Sequence, residues 1–132
     1  MIIDTDVLIW YFRGNQDARD FIAGVPYQKR IISALCVMEL IQGCADKSEL
    51  KSVKEFVRLN FPKIIYPDEG ISEKAILLLE RYALADGLRT VDALIAASAV
   101  SHKATLATAN YKHFKSIEGL HVVQFKPSPG SK

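Results

Sequence analysis

Three isoleucine pairs, Ile2–Ile3, Ile31–Ile32 and Ile64–Ile65, constrain this chain more than any other feature. Each is β-branched, wholly apolar, and separated from the next by sequence with helical periodicity. A strand with one wet face alternates apolar and polar residues; a strand covered on both faces does not need to. The pairs therefore predict short strands buried between helices. Alternation of such strands with helices predicts an α/β fold with a mostly parallel central sheet of about five short strands.

Local signals set the expected elements. Residues 1–4 read as a strand, and Asp6–Phe12 as a helix that stops at Gly14. Gln16–Ala23 reads as a further turn or helix. Arg30–Ser33 is an expected strand, with a helix running on to Gly43. Asp46 is an expected N-cap for a helix through Phe61, whose apolar positions Leu50, Val53, Phe56, Val57 and Phe61 recur at helical spacing. Ile64–Tyr66 is a strand closed by Pro67, and Ser72–Ala85 a helix. Thr90 is expected to cap a helix through His102. Thr105–Ala107 and His121–Phe125 are the last strands, on either side of a short turn or helix at Tyr111–Phe114. The sequence has no internal repeat and no linker, so residues 1–125 are expected to form a single domain. Residues 126–132 are rich in Lys, Pro, Ser and Gly and are expected to be a disordered tail.

Composition excludes little. Of 132 residues, 49% are apolar, enough for one well-buried core. The net charge of +2, from 17 basic and 15 acidic residues, is too small to argue for nucleic acid or membrane by itself. No apolar run approaches the roughly 18 residues of a membrane span. Met1 directly precedes Ile2, Ile3 and Asp4, which does not read as a signal peptide. Cys36 and Cys44 stand eight positions apart in one expected helix. That separates them by roughly 12 Å, beyond the roughly 7 Å a disulfide allows between Cα atoms. A cytoplasmic location is expected.

Acids break the hydrophobic logic in three places. Asp4 and Asp6 interrupt the apolar opening MIIDTDVLIW, with Asp4 at the carboxyl end of the first strand, where ligands gather in α/β sheets. Helix capping by Asp4 or Thr5 accounts for one acid more readily than for two. Glu39 lies in ISALCVMELIQG, apolar almost all round and hence expected to be a buried helix. No Lys or Arg occurs from Ile31 to Asp46 to neutralise it locally. Asp92, in TVDALIAASAV, falls in the first turn of its helix, where an acid suits the helix dipole. The small residues behind it, Ala93, Ala96, Ala97 and Ala99, allow close packing that would draw it inward. Carboxylates that converge on one sheet edge repel, and a bound divalent cation resolves the repulsion. Oxygen-only donors suit Mg²⁺ or Mn²⁺.

MIIDTDVLIW, SALCVMELIQG, LRTVDALIAASAV and TLATANYKHF, in that order, resemble the motifs of PIN-domain ribonucleases. More narrowly they resemble the VapC toxins of bacterial and archaeal toxin–antitoxin pairs. The similarity runs from Met1 to about Phe125. It implies a PIN-like fold, Mg²⁺- or Mn²⁺-dependent endoribonuclease activity, a homodimer, and inhibition by a small VapB-like antitoxin in a larger complex. By motif position it assigns Asp4, Glu39 and Asp92 as catalytic metal ligands. It gives Thr5, Asp6, Thr108 and Asn110 supporting places. Many relatives carry a fourth acid in the segment matching TLATANYKHF, where this chain offers Asn110 and no acid from Val100 to Ile117. An amide oxygen ligates without adding charge, which favours one metal, and Asp86 is a possible substitute acid. Arg13, Arg89 and Lys112, next to the motifs, are the candidate RNA contacts.

Two other readings use the same residues. A catalytically weak PIN-like scaffold would bind RNA or protein without cleaving. A haloacid-dehalogenase-like phosphatase would use Asp4 as nucleophile and Asp6 as acid, but Val7–Leu8 stands where a Gly-Thr usually follows, and Glu39 would be unexplained.

Overall fold

A computed structural model describes residues 1–129. Its elements run β1 (Ile2–Ile3), α1 (Thr5–Phe12), α2 (Gln16–Ala23), β2 (Ile31–Ser33), α3 (Ala34–Gln42), α4 (Lys47–Asn60), β3 (Lys63–Ile65), α5 (Glu69–Asp86), α6 (Thr90–Ser101), β4 (Leu106–Thr108), α7 (Tyr111–Phe114) and β5 (Val122–Gln124). One turn of 3₁₀ helix, Tyr27–Lys29, leads into β2.

The five strands form one sheet in the order β3-β2-β1-β4-β5, with every neighbouring pair parallel. This is the α/β architecture the isoleucine pairs predict. The order contains one reversal. From β1 the chain winds outward through β2 to β3, then returns to the other side of β1 as β4 and β5. A crevice opens where the winding reverses, outside the carboxyl ends of β1 and β4. Asp4 follows β1 directly, and Ala109 and Asn110 follow β4.

Burial explains the missing alternation. Ile2, Ile3, Ile32, Leu106 and Ala107 are fully enclosed. Each enclosed isoleucine contributes about 1.5–3 kcal/mol relative to leaving it in water. Helix α6 is the most enclosed helix: Ala93, Ile95, Ala96, Ala97, Ser98 and Ala99 are all buried, and α5 packs along it. Small side chains let the two backbones approach. The buried Ser98 hydroxyl donates to the Leu94 carbonyl at 2.7 Å, so it leaves no polar orphan.

The starts of α1 to α6 follow capping chemistry, with one exception. Asn15, Asp46 and Asp68 each accept from a backbone N–H three residues on. Asp68 starts α5 at Glu69, three residues earlier than the expected Ser72, and the added turn places Ile71 in the core. The exception is α6. Arg89 holds the N-cap position in extended conformation, Thr90 is the first helical residue, and no side chain caps the end. The expected Thr90 cap is therefore not formed. Helix α5 ends at Gly87, whose φ of 70° is left-handed and suits a residue without Cβ.

The expectation that α3 is buried all round is also corrected. Ala34, Cys36 and Leu40 face the core, whereas Met38 is 59% and Ile41 39% exposed, and Glu39 is exposed too. The helix is apolar on a face that its own chain leaves open. The two cysteines are free: Cys36 is buried, and Cys44 lies beyond the helix with its thiol donating to the Leu40 carbonyl at 3.3 Å. Of the expected tail, the Ser128 N–H donates to Asp17 at 2.7 Å, and residues 130–132 lie outside the described residues. Among the described residues no helix is long and apolar enough to cross a membrane.

Candidate active site

Asp4 is placed by β1 and held by backbone and side chain together. It is the N-cap of α1, and its Oδ1 accepts from the Thr5 N–H at 2.8 Å. Its Oδ2 accepts from the Thr108 hydroxyl at 2.9 Å. Capping and site construction are thus performed by different oxygens of one carboxylate. The Thr108 Oγ1 also lies 3.2 Å from Asp6 Oδ2, and it accepts from the Asn110 N–H at 3.0 Å. Asp6 Oδ1 accepts from the Ala109 N–H at 3.1 Å. The turn after β4 therefore ties both acids of the opening motif to one hydroxyl and one amide.

Glu39 reaches the same crevice from α3. Its Oε1 accepts from the Thr5 hydroxyl at 2.7 Å, so Thr5 bridges the first and second motifs. Asp92 enters from the first turn of α6, half-buried, with Oδ2 3.7 Å from His113 Nδ1. That ring nitrogen is 2.8 Å from the Asn110 side-chain amide. Thr5 holds Glu39 and Thr108 holds Asp4, Asn110 reaches the group only through Thr108 and His113, and Asp4, Asp6, Glu39 and Asp92 come together as four carboxylates.

Their electrostatics show the cost of the arrangement. Asp4 is 6% exposed, and its pKa is pushed up to about 7, first by burial and next by Asp6, against the opposing bonds from Thr108 and Thr5. Asp92 adds to the upward push on Asp4. Burial also raises the pKa of Asp92; His113 opposes the rise, while Glu39 and Asp6 add to it. The Cys36 thiol, 4.0 Å from Asp4 Oδ1, is pushed up to about 12 by burial and then by Asp4, so it is a neutral packing group. These acids are crowded with like charge at the point where the sheet opens.

Among the described residues no three His, Cys, Asp or Glu side chains stand ready-arranged to hold a metal ion. The donor set nevertheless fits a hard divalent cation. All four groups offer oxygen, and at Asp4 and Asp92 like charge from neighbouring acids adds to the upward push of burial, which a bound cation would relieve.

Two clefts flank Glu39. One, of about 480 Å³, includes Ile9, Phe12, Arg13, Leu40 and Val53 in its lining. The other, of about 680 Å³, includes Leu79, Arg89, Thr90 and Asp92. Two of the three cations singled out in the sequence, Arg13 and Arg89, therefore stand in clefts that share the Glu39 wall. Lys112 is exposed on α7. In the sequence His113 stands apart from the acids it meets. The spacing Asn110–His113 across one short helical turn was the signal that joins it to the site.

Comparison with known proteins agrees with this architecture. Residues 1–120 match the PIN domain family. Ribonuclease VapC1 of Rickettsia felis is 32% identical over 130 residues, covering 93% of this chain and 94% of that protein. A toxin–antitoxin complex from Klebsiella pneumoniae contains a chain 32% identical, with a TM-score of 0.77, covering 93% of this chain and 95% of that one. VapBC2 from Rickettsia felis bound to a DNA fragment from its promoter shares the fold, with a TM-score of 0.76 at 19% identity over 95% of this chain and 98% of that one. The chain belongs to the PIN-domain family, among its VapC-type members.

Proposed function

We propose that this chain is the endoribonuclease toxin of a toxin–antitoxin pair, and that Asp4, Glu39 and Asp92 hold one Mg²⁺ or Mn²⁺ as its catalytic centre. The observation that carries this is the meeting of carboxylates from β1, α3 and α6 at the sheet reversal, with the Asp4 pKa pushed up to about 7 by burial and its acidic neighbours. A bound cation there supplies an activated water and neutralises charge that develops on a phosphate. Thr5 holds Glu39, and Thr108 holds Asp4 beside Asp6, so hydroxyl donors restrain three of the carboxylates. Asp4 has both oxygens bonded and is buried, which suits a ligand better than the attacking nucleophile of a phosphatase. Arg13 and Arg89, in the clefts beside Glu39, would bind RNA phosphates, with Lys112 further out. Such contacts give affinity without sequence choice.

The partner reading rests on the related toxin–antitoxin complexes and on exposed apolar surface. Ile9, Phe12, Met38 and Ile41 are open to solvent on α1 and α3, as a surface awaiting a small VapB-like antitoxin would be. Ile76, Leu77 and Leu84 on α5 offer a further apolar face for a homodimer. The test is to induce the chain alone in a bacterium and map RNA ends. Growth arrest with one sharp cleavage site, absent for Asp4→Ala, is expected. Arrest without new RNA ends, or identical ends with Asp4→Ala, would refute the assignment.

A further inference from the structure

His113 lies in the one motif that supplies no acid, yet it meets the acidic centre. Asp92 feels the like charge of Glu39 and Asp6. Against that push stands the imidazole, with Nδ1 3.7 Å from Asp92 Oδ2. The ring is itself anchored, since Nδ1 is 2.8 Å from the Asn110 side chain. Asn110 in turn donates its backbone N–H to Thr108 Oγ1 at 3.0 Å, the hydroxyl that holds Asp4. The connection therefore runs Asp4–Thr108–Asn110–His113–Asp92, from the end of β1 to the start of α6. A lone pair facing a carboxylate would repel it, so the Asp92 side favours the tautomer with a proton on Nδ1. The Asn110 amide, whose two ends are interchangeable by a flip, can then present its oxygen to the same proton.

We infer that His113 is the positioning residue of Asp92: through Asn110 it holds that carboxylate turned toward Asp4 and Glu39, and so sets the affinity of the centre for a divalent cation. This rests on the metal-centre reading above. Without the ring, repulsion from Glu39 and Asp6 turns Asp92 outward, and a cation must then draw it back. Groups that orient metal ligands from behind typically contribute about 10–100-fold to metal affinity.

The probe is Mn²⁺ alone, without RNA, followed by loss of the free-ion electron paramagnetic resonance signal on binding. His113→Ala is expected to weaken Mn²⁺ binding by about 10-fold or more. His113→Asn places an amide N–H near the Nδ1 position and is expected to restore affinity to within about threefold of the unaltered chain. In RNA cleavage, His113→Ala should raise the Mn²⁺ concentration for half-activity and leave KM for RNA unchanged at saturating Mn²⁺. Far-ultraviolet circular dichroism melts identify a variant that has merely unfolded, and His113→Asn then carries the test. Mn²⁺ affinity within twofold of the unaltered chain in His113→Ala would overturn the inference. So would a nitrogen hyperfine signature of imidazole bound directly to Mn²⁺, which would make His113 a ligand. If the unaltered chain binds no Mn²⁺, the metal-centre reading falls, and this inference falls with it.

Discussion

Asp4→Asn should make the metal-free protein more stable, and the gain should depend on pH. The folded chain holds the Asp4 proton up to a pKa of about 7, against 3.8 for an ordinary aspartate. Below about pH 4 both folded and unfolded chains are protonated at this group, and its burial carries no charge penalty. As pH rises, the unfolded chain ionises first, so stability falls from about pH 4 and the fall is complete above about pH 7. At about 1.36 kcal/mol per pKa unit, a rise of about three units is an upper bound on the order of 4 kcal/mol. Asparagine stays neutral throughout. Its oxygen keeps the bond from the Thr5 N–H, and its NH₂ can donate to Thr108 Oγ1 once that hydroxyl turns to Asp6. Repacking around the changed polarity offsets part of the gain, which leaves about 2–3 kcal/mol at pH 8 and almost none at pH 4. For a chain of this size that is a melting-temperature rise of about 5–10 °C. The assay is a set of thermal or urea melts in EDTA from pH 4.5 to 8.5. Addition of Mg²⁺ or Mn²⁺ should then stabilise the unaltered chain and leave Asp4→Asn unchanged. Destabilisation by Asp4→Asn at pH 8, or a gain that is the same at every pH, would refute the reasoning.

Three further outcomes are expected. Thr108→Val keeps the side-chain shape but removes the bonds to Asp4, Asp6 and the Asn110 N–H, so urea melts at neutral pH should show a loss of about 1–3 kcal/mol. Thr5→Val leaves Glu39 without its 2.7 Å donor, and RNA cleavage at limiting Mn²⁺ should fall about tenfold while the melting temperature moves by only a few degrees. Arg13→Ala and Arg89→Ala should each weaken RNA binding across unrelated sequences and lower the slope of log affinity against log salt by about one, as filter binding at several salt concentrations would show.

The fold was largely legible because burial on both faces leaves a plain mark. Ile2–Ile3, Ile31–Ile32 and Ile64–Ile65 each mark a strand of the parallel sheet, and Asp46 caps α4 as its position foretells. What misled was chemistry settled by tertiary contacts. Helix α3 reads as wholly buried because hydrophobicity does not distinguish a core face from a face kept for something outside the chain, and Met38, Glu39 and Ile41 prove exposed. Thr90 reads as a cap because its hydroxyl is suited to one, yet the backbone turns at Arg89 and leaves Thr90 inside the helix. The acids were visible as interruptions of apolar runs. Of their hydroxyl supports, Thr5 stood out as a possible helix cap and Thr108 only by motif position, since a threonine beside an acid has no periodicity to betray it. His113 escaped because its partner Asp92 is brought near by the sheet, not by sequence.

In the proposed function these carboxylates cleave RNA through a divalent cation. The most direct measurement is cleavage of a structured RNA by the purified chain in EDTA and with added Mn²⁺, beside Glu39→Gln. Cleavage is expected with Mn²⁺ and not in EDTA, with a loss of about 100-fold or more in Glu39→Gln, in line with removing one charge-stabilising group from a catalytic centre. Cleavage undiminished in EDTA, or by Glu39→Gln, would contradict that function.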